Sequence, residues 1–346
     1  MDRPQDRRKT PLLGKTLEEL QEIASSADLP RYGGAQIADW LYKKHCRDID
    51  DMSNLSNAAR KALKEEYCAG KSPPSEEARS ADGTVKYLFP ADGRKHVEAV
   101  WLPEETRGTL CLSTQAGCKM ACAFCMTGRQ GFDGHLTSGG IINQYESNPF
   151  REHITNIVYM GMGEPLDNPE NTMKSLEVFT ADWGYAMSPA RITLSTIGVL
   201  PGLKTFLEQS KCHLAVSLHS PFDDERERLM PVEKTWPMKK TIELLETYDW
   251  SGQRRLSFEY ILFDGINDSP SHARELVRLV SRLKCRINLL HYHSLPGSEL
   301  NGSPRDRMIE FQNILKQKGM TATIRKSRGE DIFAACGLLS TEKNRE

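Results

Sequence analysis

No run of apolar residues in this 346-residue sequence approaches the ~18 that a membrane-crossing helix needs, so no transmembrane segment is expected. The opening stretch from Met1 to Lys9 has no apolar core behind it, which argues against a secretory leader. Neither sign of charge is in excess. With 46 Lys and Arg against 47 Asp and Glu, the chain is not a basic nucleic-acid coat, and any RNA contact must rest on local patches. Repeats and low-complexity tracts are missing too. The chain is 38% apolar and 27% charged, enough apolar surface for a real core, which excludes a disordered or fibrous protein.

Cysteine is what the sequence has. There are nine: Cys46, Cys68, Cys111, Cys118, Cys122, Cys125, Cys212, Cys285 and Cys336. An odd number in a chain of this size is a poor match to a secreted disulfide framework. The expected compartment is the reducing cytoplasm, where clustered cysteines bind metal or do chemistry.

Two regions differ in pattern. From 16 to 67 apolar residues recur at helical spacing, with Leu17, Leu20, Ile23 and Ala24 on one helix and Ile37, Ala38, Trp40 and Leu41 on a second. A third helix is expected from Ser56 to Tyr67, with Ser56 as its N-cap. Lys43, Lys44, Arg60, Lys61 and Lys64 decorate this module, as a solvated face or an RNA contact. Cys68 to Arg79, with Pro73-Pro74, reads as a linker. Extended segments follow at Thr84–Phe89 and His96–Leu102. Then six short β-branched runs alternate with helical stretches, at Thr109–Thr114, Ile154–Met160, Arg191–Ser195, His213–Leu218, Leu256–Leu262 and Arg286–Tyr292. Helices are expected at Asn171–Trp183, Pro237–Tyr248, Ser271–Lys284 and Pro304–Lys318. This alternation predicts an α/β fold with a parallel sheet, as a partial barrel or an open doubly wound sheet.

Directly after the first of these strands comes Cys118-Lys-Met-Ala-Cys122-Ala-Phe124-Cys125. Three thiolates on one loop suit a 4Fe-4S cluster, each holding one iron and leaving a fourth iron open to a small chelating ligand. A zinc site completed by His135 is the structural alternative.

The spacing, with an aromatic residue before the last cysteine, resembles the radical S-adenosylmethionine superfamily. Further motifs narrow this: Glu98-Ala-Val-Trp-Leu-Pro, Arg107-Gly-Thr-Leu-Cys111, Gly161-Met-Gly163-Glu164-Pro165, Leu194-Ser195-Thr196-Ile-Gly198, Leu214-Ala-Val-Ser217-Leu218-His219 and Arg328-Gly-Glu-Asp-Ile-Phe-Ala-Ala-Cys336-Gly. Running in order along most of the chain, they resemble the RlmN/Cfr family of RNA methyltransferases.

That resemblance implies a partial (β/α)6 radical SAM barrel with a small N-terminal helical domain. It divides the chain into an RNA-binding accessory domain at 1–75, an extended linker and hairpin region at 76–108, and the core at 109–346. It implies methylation of carbon 2 at adenosine 2503 of 23S rRNA and at an adenosine in tRNA anticodon loops. The enzyme would act as a cytoplasmic monomer, with an electron donor such as flavodoxin or ferredoxin and no membrane partner. The cluster ligands would be Cys118, Cys122 and Cys125. Gly163, Glu164, Ser195, Ser217, Leu218, His219 and His293 would contact S-adenosylmethionine, with His293 standing where many members have asparagine. Cys336 would carry the methyl group, with its thiolate favoured by Arg325, Lys326 and Arg328. Glu98 would take a proton from the adenine, and Cys111 would release the product by forming a disulfide with Cys336. Carbon-8 methylation of the Cfr type remains open on these motifs, as does a non-catalytic metal-cluster RNA-binding protein.

Overall fold

The computed structural model describes residues 9–91 and 95–341. The residues 1–8 on which the leader reading rests, and the outer ends of the 1–75 and 109–346 regions, lie outside the described residues.

The N-terminal helices form where the apolar spacing puts them. Strand β1 (Thr10–Pro11) precedes α1 (Leu17–Ser26), α2 (Gly33–Ala38) and α3 (Asn57–Glu66), and β2 (Tyr67–Cys68) returns to pair with β1 in parallel. Thr16 and Glu19 start α1 with a capping box. The Thr16 hydroxyl accepts from the Glu19 amide at 3.3 Å, and the Glu19 carboxylate accepts from the Thr16 amide at 2.9 Å. Ser56 caps α3 as the sequence predicts, accepting from the Ala59 amide at 3.1 Å. The second helix runs on through Asp39–Lys43 as a wider π turn.

The main sheet has ten strands. Strands β3 (Glu76–Arg79), β4 (Val85–Pro90), β5 (His96–Pro103) and β6 (Gly108–Cys111) form an antiparallel meander. A separate antiparallel pair, β7 (Gln115–Gly117) and β8 (Phe132–His135), brackets the short helix α4 (Met126–Gln130). After α5 (Ser138–Glu146) the parallel part runs through β9 (Asn156–Tyr159), β10 (Ile192–Thr196), β11 (His213–Ser217), β12 (Leu256–Leu262), β13 (Cys285–His291) and β14 (Thr321–Ile324). Its crossover helices are α6 (Pro169–Thr180), α7 (Leu200–Gln209), α8 (Asp223–Leu229), α9 (Met238–Leu245), α10 (Pro270–Val280) and α11 (Arg305–Gln317).

The strand order is β14-β13-β12-β11-β10-β9-β6-β5-β4-β3. Strands β6 and β9 to β13 are the six expected ones, and each pairs in parallel with its neighbour. Strand β14 adds a seventh parallel strand that was not foreseen, because Thr321-Ala-Thr-Ile is short and half exposed. The sheet keeps two edges, as a partial barrel does. Helices cover its parallel part, so β11 and β12 are almost wholly buried and read as near-continuous apolar runs.

The expected linker is partly wrong. Cys68 lies in β2 and Glu76–Arg79 form β3. Between them, Ser72 is pinned by Asn143 of α5, which accepts from its amide at 3.0 Å and donates to its carbonyl at 2.8 Å. A proline pair bars a ladder only locally, and a side chain from another element satisfies the backbone there. Among the described residues, no helix is long and apolar enough to cross a membrane.

Candidate active site

The three-cysteine loop sits between β7 and α4. The Cys118 amide donates to the Gly131 carbonyl at 2.7 Å, the Ala123 amide to Leu229 at 2.9 Å, and Cys125 is the residue that opens α4. Ala121 takes φ 50°, the left-handed turn that lets three thiols lie on one short loop. Burial pushes the Cys118 and Cys122 thiols up, and the neighbouring thiols push each further. Among the described residues, no group of three or more His, Cys, Asp or Glu converges as a single-ion site would need. A cubic cluster asks for no such convergence, because each thiolate holds a different iron. Its positive charge would supply what the crowded thiols lack, so the donor set fits a 4Fe-4S cluster. His135, the zinc alternative's fourth ligand, instead has Nδ1 3.0 Å from Gln115 Nε2, and burial pushes its pKa down, with Lys119 and Lys95 adding to the fall and Asp167 opposing it.

The other site residues gather at one end of the parallel strands, where the active site of such a fold lies. Gly163 has φ +96°, and a Cβ there would meet the Gln115 side chain at 2.5 Å. The close approach that requires glycine is therefore made by Gln115, whose Oε1 accepts from the Glu164 amide at 2.9 Å. Glu164 is buried, with one carboxylate oxygen taking the Leu166 amide (3.0 Å) and Thr196 hydroxyl (2.6 Å) and the other the Ile197 amide (3.0 Å). Burial pushes its pKa up to about 7 against these bonds. A carboxylate offers about four acceptor positions. One is left beside the cysteine loop on a buried anion short of a cation, which fits an ammonium group such as that of S-adenosylmethionine.

Ser195 and Ser217 lie at the ends of β10 and β11, half-buried, and neither hydroxyl has a partner among the described residues. Leu218 is buried, its amide donating to the Glu259 carbonyl at 3.0 Å. His219 takes a left-handed φ of 58°, and its Nδ1 accepts from the Ile261 amide at 3.0 Å. Burial, helped by Arg226, pushes its pKa down to about 3, so the ring is neutral with Nε2 carrying the proton. That ring packs edge-on against Phe124 of the cysteine loop, with centroids 4.8 Å apart. His293 does something the sequence does not suggest. Its Nε2 lies 2.8 Å from the Ser327 hydroxyl and its Nδ1 3.0 Å from Glu330, off the direction of a hydrogen bond, which ties it to the loop leading to Cys336.

Two other residues carry this rim without any sequence signal. Arg226 is buried and pairs with Glu233, and its guanidinium also donates to the carbonyls of Leu218 (3.1 Å), Ile197 (2.9 Å) and Ser217 (3.1 Å). It thereby fixes the ends of β10 and β11, and its charge favours the Cys122 thiolate. Gln115 is the other, bridging Glu164, Asp167 and His135. Both act through partners distant in sequence.

The remaining three residues lie on β5, on β6 and on the loop that follows Glu330–Ile332. Glu98, on β5, is buried, with its carboxylate 2.9 Å from Lys86 Nζ and accepting from the Ser340 amide at 2.9 Å. Burial raises its pKa, opposed by Lys86. Cys111 ends β6 opposite Val100 and is buried, which pushes its thiol up, and the charge of Cys336 adds to that rise. Cys336 is solvent-accessible yet recessed, with protein packed closely around it. Its loop is tied down by the Met126 amide to the Gly337 carbonyl (2.8 Å) and the Thr127 hydroxyl to the Leu339 carbonyl (2.6 Å). The expected thiolate is corrected here: burial and the Glu259 carboxylate raise the Cys336 thiol, and Arg325 only partly offsets them. Arg328 does not help, since it binds the carbonyls of Pro103 (2.9 Å) and Asp82 (3.4 Å).

Comparison with known proteins places the chain in a family. Residues 112–279 match the model of the radical SAM superfamily, and residues 10–69 match the ribosomal RNA large subunit methyltransferase N-terminal domain. A probable dual-specificity RNA methyltransferase RlmN of Bacteroides fragilis is 52% identical over 98% of each chain. The counterpart of Parabacteroides distasonis is 54% identical over 97% of this chain and 98% of its own. The dual-specificity RNA methyltransferase RlmN of Solidesulfovibrio magneticus is 43% identical over 96% and 97%. A radical SAM methyltransferase from Sphaerobacter thermophilus superposes with a TM-score of 0.89 at 37% identity, covering 96% of this chain and 100% of that one. The chain therefore belongs to the radical SAM superfamily and, within it, to the RlmN family of RNA methyltransferases, which work with a 4Fe-4S cluster and S-adenosylmethionine.

Proposed function

We propose that the chain methylates carbon 2 of adenine, at adenosine 2503 of 23S rRNA and at an adenosine in tRNA anticodon loops, through a one-carbon unit carried on Cys336. The observation behind this reading is the double tether of the Cys336 loop, to the cysteine loop through Gly337 (2.8 Å) and to Glu98 through Ser340 (2.9 Å). When bound, the cluster and two molecules of S-adenosylmethionine supply a methyl group and a 5′-deoxyadenosyl radical. Cys118, Cys122 and Cys125 hold the cluster. The one acceptor position left on Glu164 takes the cofactor's ammonium, and Ser195, Ser217 and His219 offer hydroxyls and an N–H to its polar groups. Gly163 and Leu218 shape the backbone around it, and His293 reaches it from the Cys336 side.

The chemistry at the protein follows from the substrate. The adenine carbon is too weak a nucleophile for polar methyl transfer. The methyl on Cys336 must lose a hydrogen atom first, the resulting carbon radical adds to the base, and the odd electron left on the adduct would return to the cluster, so that a closed-shell thioether remains. This leaves the RNA joined to Cys336. Glu98, a buried carboxylate raised above its ordinary value, takes the proton from the adenine carbon. Cys111 then attacks Cys336 Sγ. The carbon–sulfur bond breaks, its electron pair stays on the former methylene carbon, and that carbon takes a proton and becomes a methyl group. A Cys111–Cys336 disulfide remains. Because burial holds the Cys111 thiol well up, its proton has to leave as it attacks.

Residues 1–75 serve as an RNA-binding accessory unit and 109–346 as the core, and the extended hairpin region 76–108 adds β3 to β5 to the core's sheet. Lys43, Arg47 and Lys61 are exposed on the first of these, whereas Lys44 and Lys64 are paired with Asp39 and with Asp48 and Asp50. An electron carrier of the flavodoxin or ferredoxin type reduces the monomer in the cytoplasm.

Two alanine substitutions test the roles of the thiols. Cys111→Ala should still load methyl onto Cys336 and then stall with RNA attached, giving a nuclease-sensitive shifted band on a denaturing gel. Cys336→Ala, alone or combined with Cys111→Ala, should give no band. A Cys111→Ala protein with intact cluster and cofactor cleavage but no adduct contradicts the assignment.

A further inference from the structure

Phe333 lies three residues before Cys336 on the same loop. Among the described residues it is one of four large hydrophobic side chains that stay exposed, at 47%. Its backbone is left-handed, with φ 52° and ψ 43°, a conformation that costs a bulky L residue and that glycine or asparagine adopts cheaply. The turn Glu330–Ile332 is thus bounded by two left-handed residues, Gly329 and Phe333. The surroundings hold Phe333 there. Its amide donates to the Glu330 carbonyl at 3.1 Å, and its carbonyl accepts from Lys86 Nζ at 3.3 Å. Ala334 and Ala335 behind it are buried, so the loop is anchored between two positions, Phe333 and Cys336, that face solvent.

The fold gains little from this ring. It is half exposed and makes no aromatic contact among the described residues, and its backbone would relax with asparagine in its place. A strained, exposed aromatic beside a reactive group points to a ligand. Cations border it. Arg325 and Lys326 are exposed, and Arg325 lies near enough to Cys336 to act on its charge. An aromatic face beside cations is how proteins hold unstacked bases of single-stranded RNA. Resting on the function proposed above, we infer that Phe333 stacks on the nucleobase next to the target adenine, holding that neighbour while the adenine turns into the mouth at Cys336.

The test uses full-length holoenzyme and an RNA hairpin with the target adenosine in its loop. Binding is read by direct titration, so it does not depend on which carbon is methylated. Phe333→Asn should weaken RNA binding about tenfold or more, the scale of one lost base–aromatic stack. Phe333→Trp should keep the affinity. Methyl loading on Cys336, which needs no RNA, should survive in both. Replacing one flanking nucleotide by an abasic residue should weaken the wild type equally and add nothing to the Phe333→Asn loss. Unchanged affinity in Phe333→Asn, additive losses for both flanking positions, or lost methyl loading would each overturn the inference. Failure of the methylation reading looks different: the wild type binds the hairpin and leaves its adenine unmodified.

Discussion

A single buried guanidinium shows how much of the site depends on residues with no motif. Arg226 gathers three carbonyls from the ends of β10 and β11 and one carboxylate, Glu233. Removing it strands Glu233 and leaves the carbonyls with one donor fewer. Arg226→Ala should cost roughly 3–5 kcal/mol, the usual penalty for breaking a buried ion pair. Arg226→Lys should recover little, because an ammonium cannot reproduce the planar fork. Thermal melting of the three proteins checks this, and a lysine variant as stable as the wild type would contradict it. The cysteine loop was legible in the sequence because its three cysteines lie within one short loop. Arg226 was not, because its partners span residues 197 to 233 and only the folded chain brings them together. The protonation state of Cys336 was misread for a related reason. Neighbouring basic residues in sequence suggested a thiolate, but Arg328 turns away to Pro103 and Asp82, and Glu259 arrives from another strand.

At the level of elements, the N-terminal helices are joined to the sheet region through Glu146 of α5. Its carboxylate, almost fully buried, meets Lys71 Nζ at 2.5 Å, His45 Nδ1 at 3.1 Å and the Tyr185 hydroxyl at 2.8 Å. Burial alone would raise this carboxyl, but hydrogen bonding from His45 and the charge of Lys71 outweigh it, and its pKa lies below 4.5. A carboxyl depressed on folding contributes stability above its unfolded value and loses it as pH falls through the folded value. The junction should therefore hold from neutral pH to about 4.5 and loosen below that. Glu146→Ala should loosen it at neutral pH, so that limited proteolysis cuts between the helical module and β3 faster than in the wild type. Equal cleavage rates would show that the other ties, such as the Ser72–Asn143 bonds and the close Gly14–Gly139 backbone approach, where an added Cβ would come within 2.1 Å, hold the module without Glu146. Here too the sequence was partly legible. Apolar spacing located α1 and α3 and six parallel strands, because periodicity is local. It missed β14 and the pairing inside the supposed linker, which depend on what lies alongside.

For the whole molecule, nearly equal numbers of acidic and basic residues mean that no long-range field draws RNA to the chain, so recognition depends on local features around the mouth. Those features converge on Cys336, which the fold keeps accessible while Cys111 stays buried near it and the buried Glu98 holds the same loop through Ser340. The central claim is that the transferred carbon passes through Cys336, loses one hydrogen there and regains one when Cys111 breaks the carbon–sulfur bond. The direct measurement supplies S-adenosylmethionine with a trideuterated methyl group and analyses the digested RNA by mass spectrometry. The account predicts 2-methyladenosine whose methyl group holds two deuteriums and one hydrogen. A methyl group that arrives with all three deuteriums, or one attached at carbon 8, would contradict it.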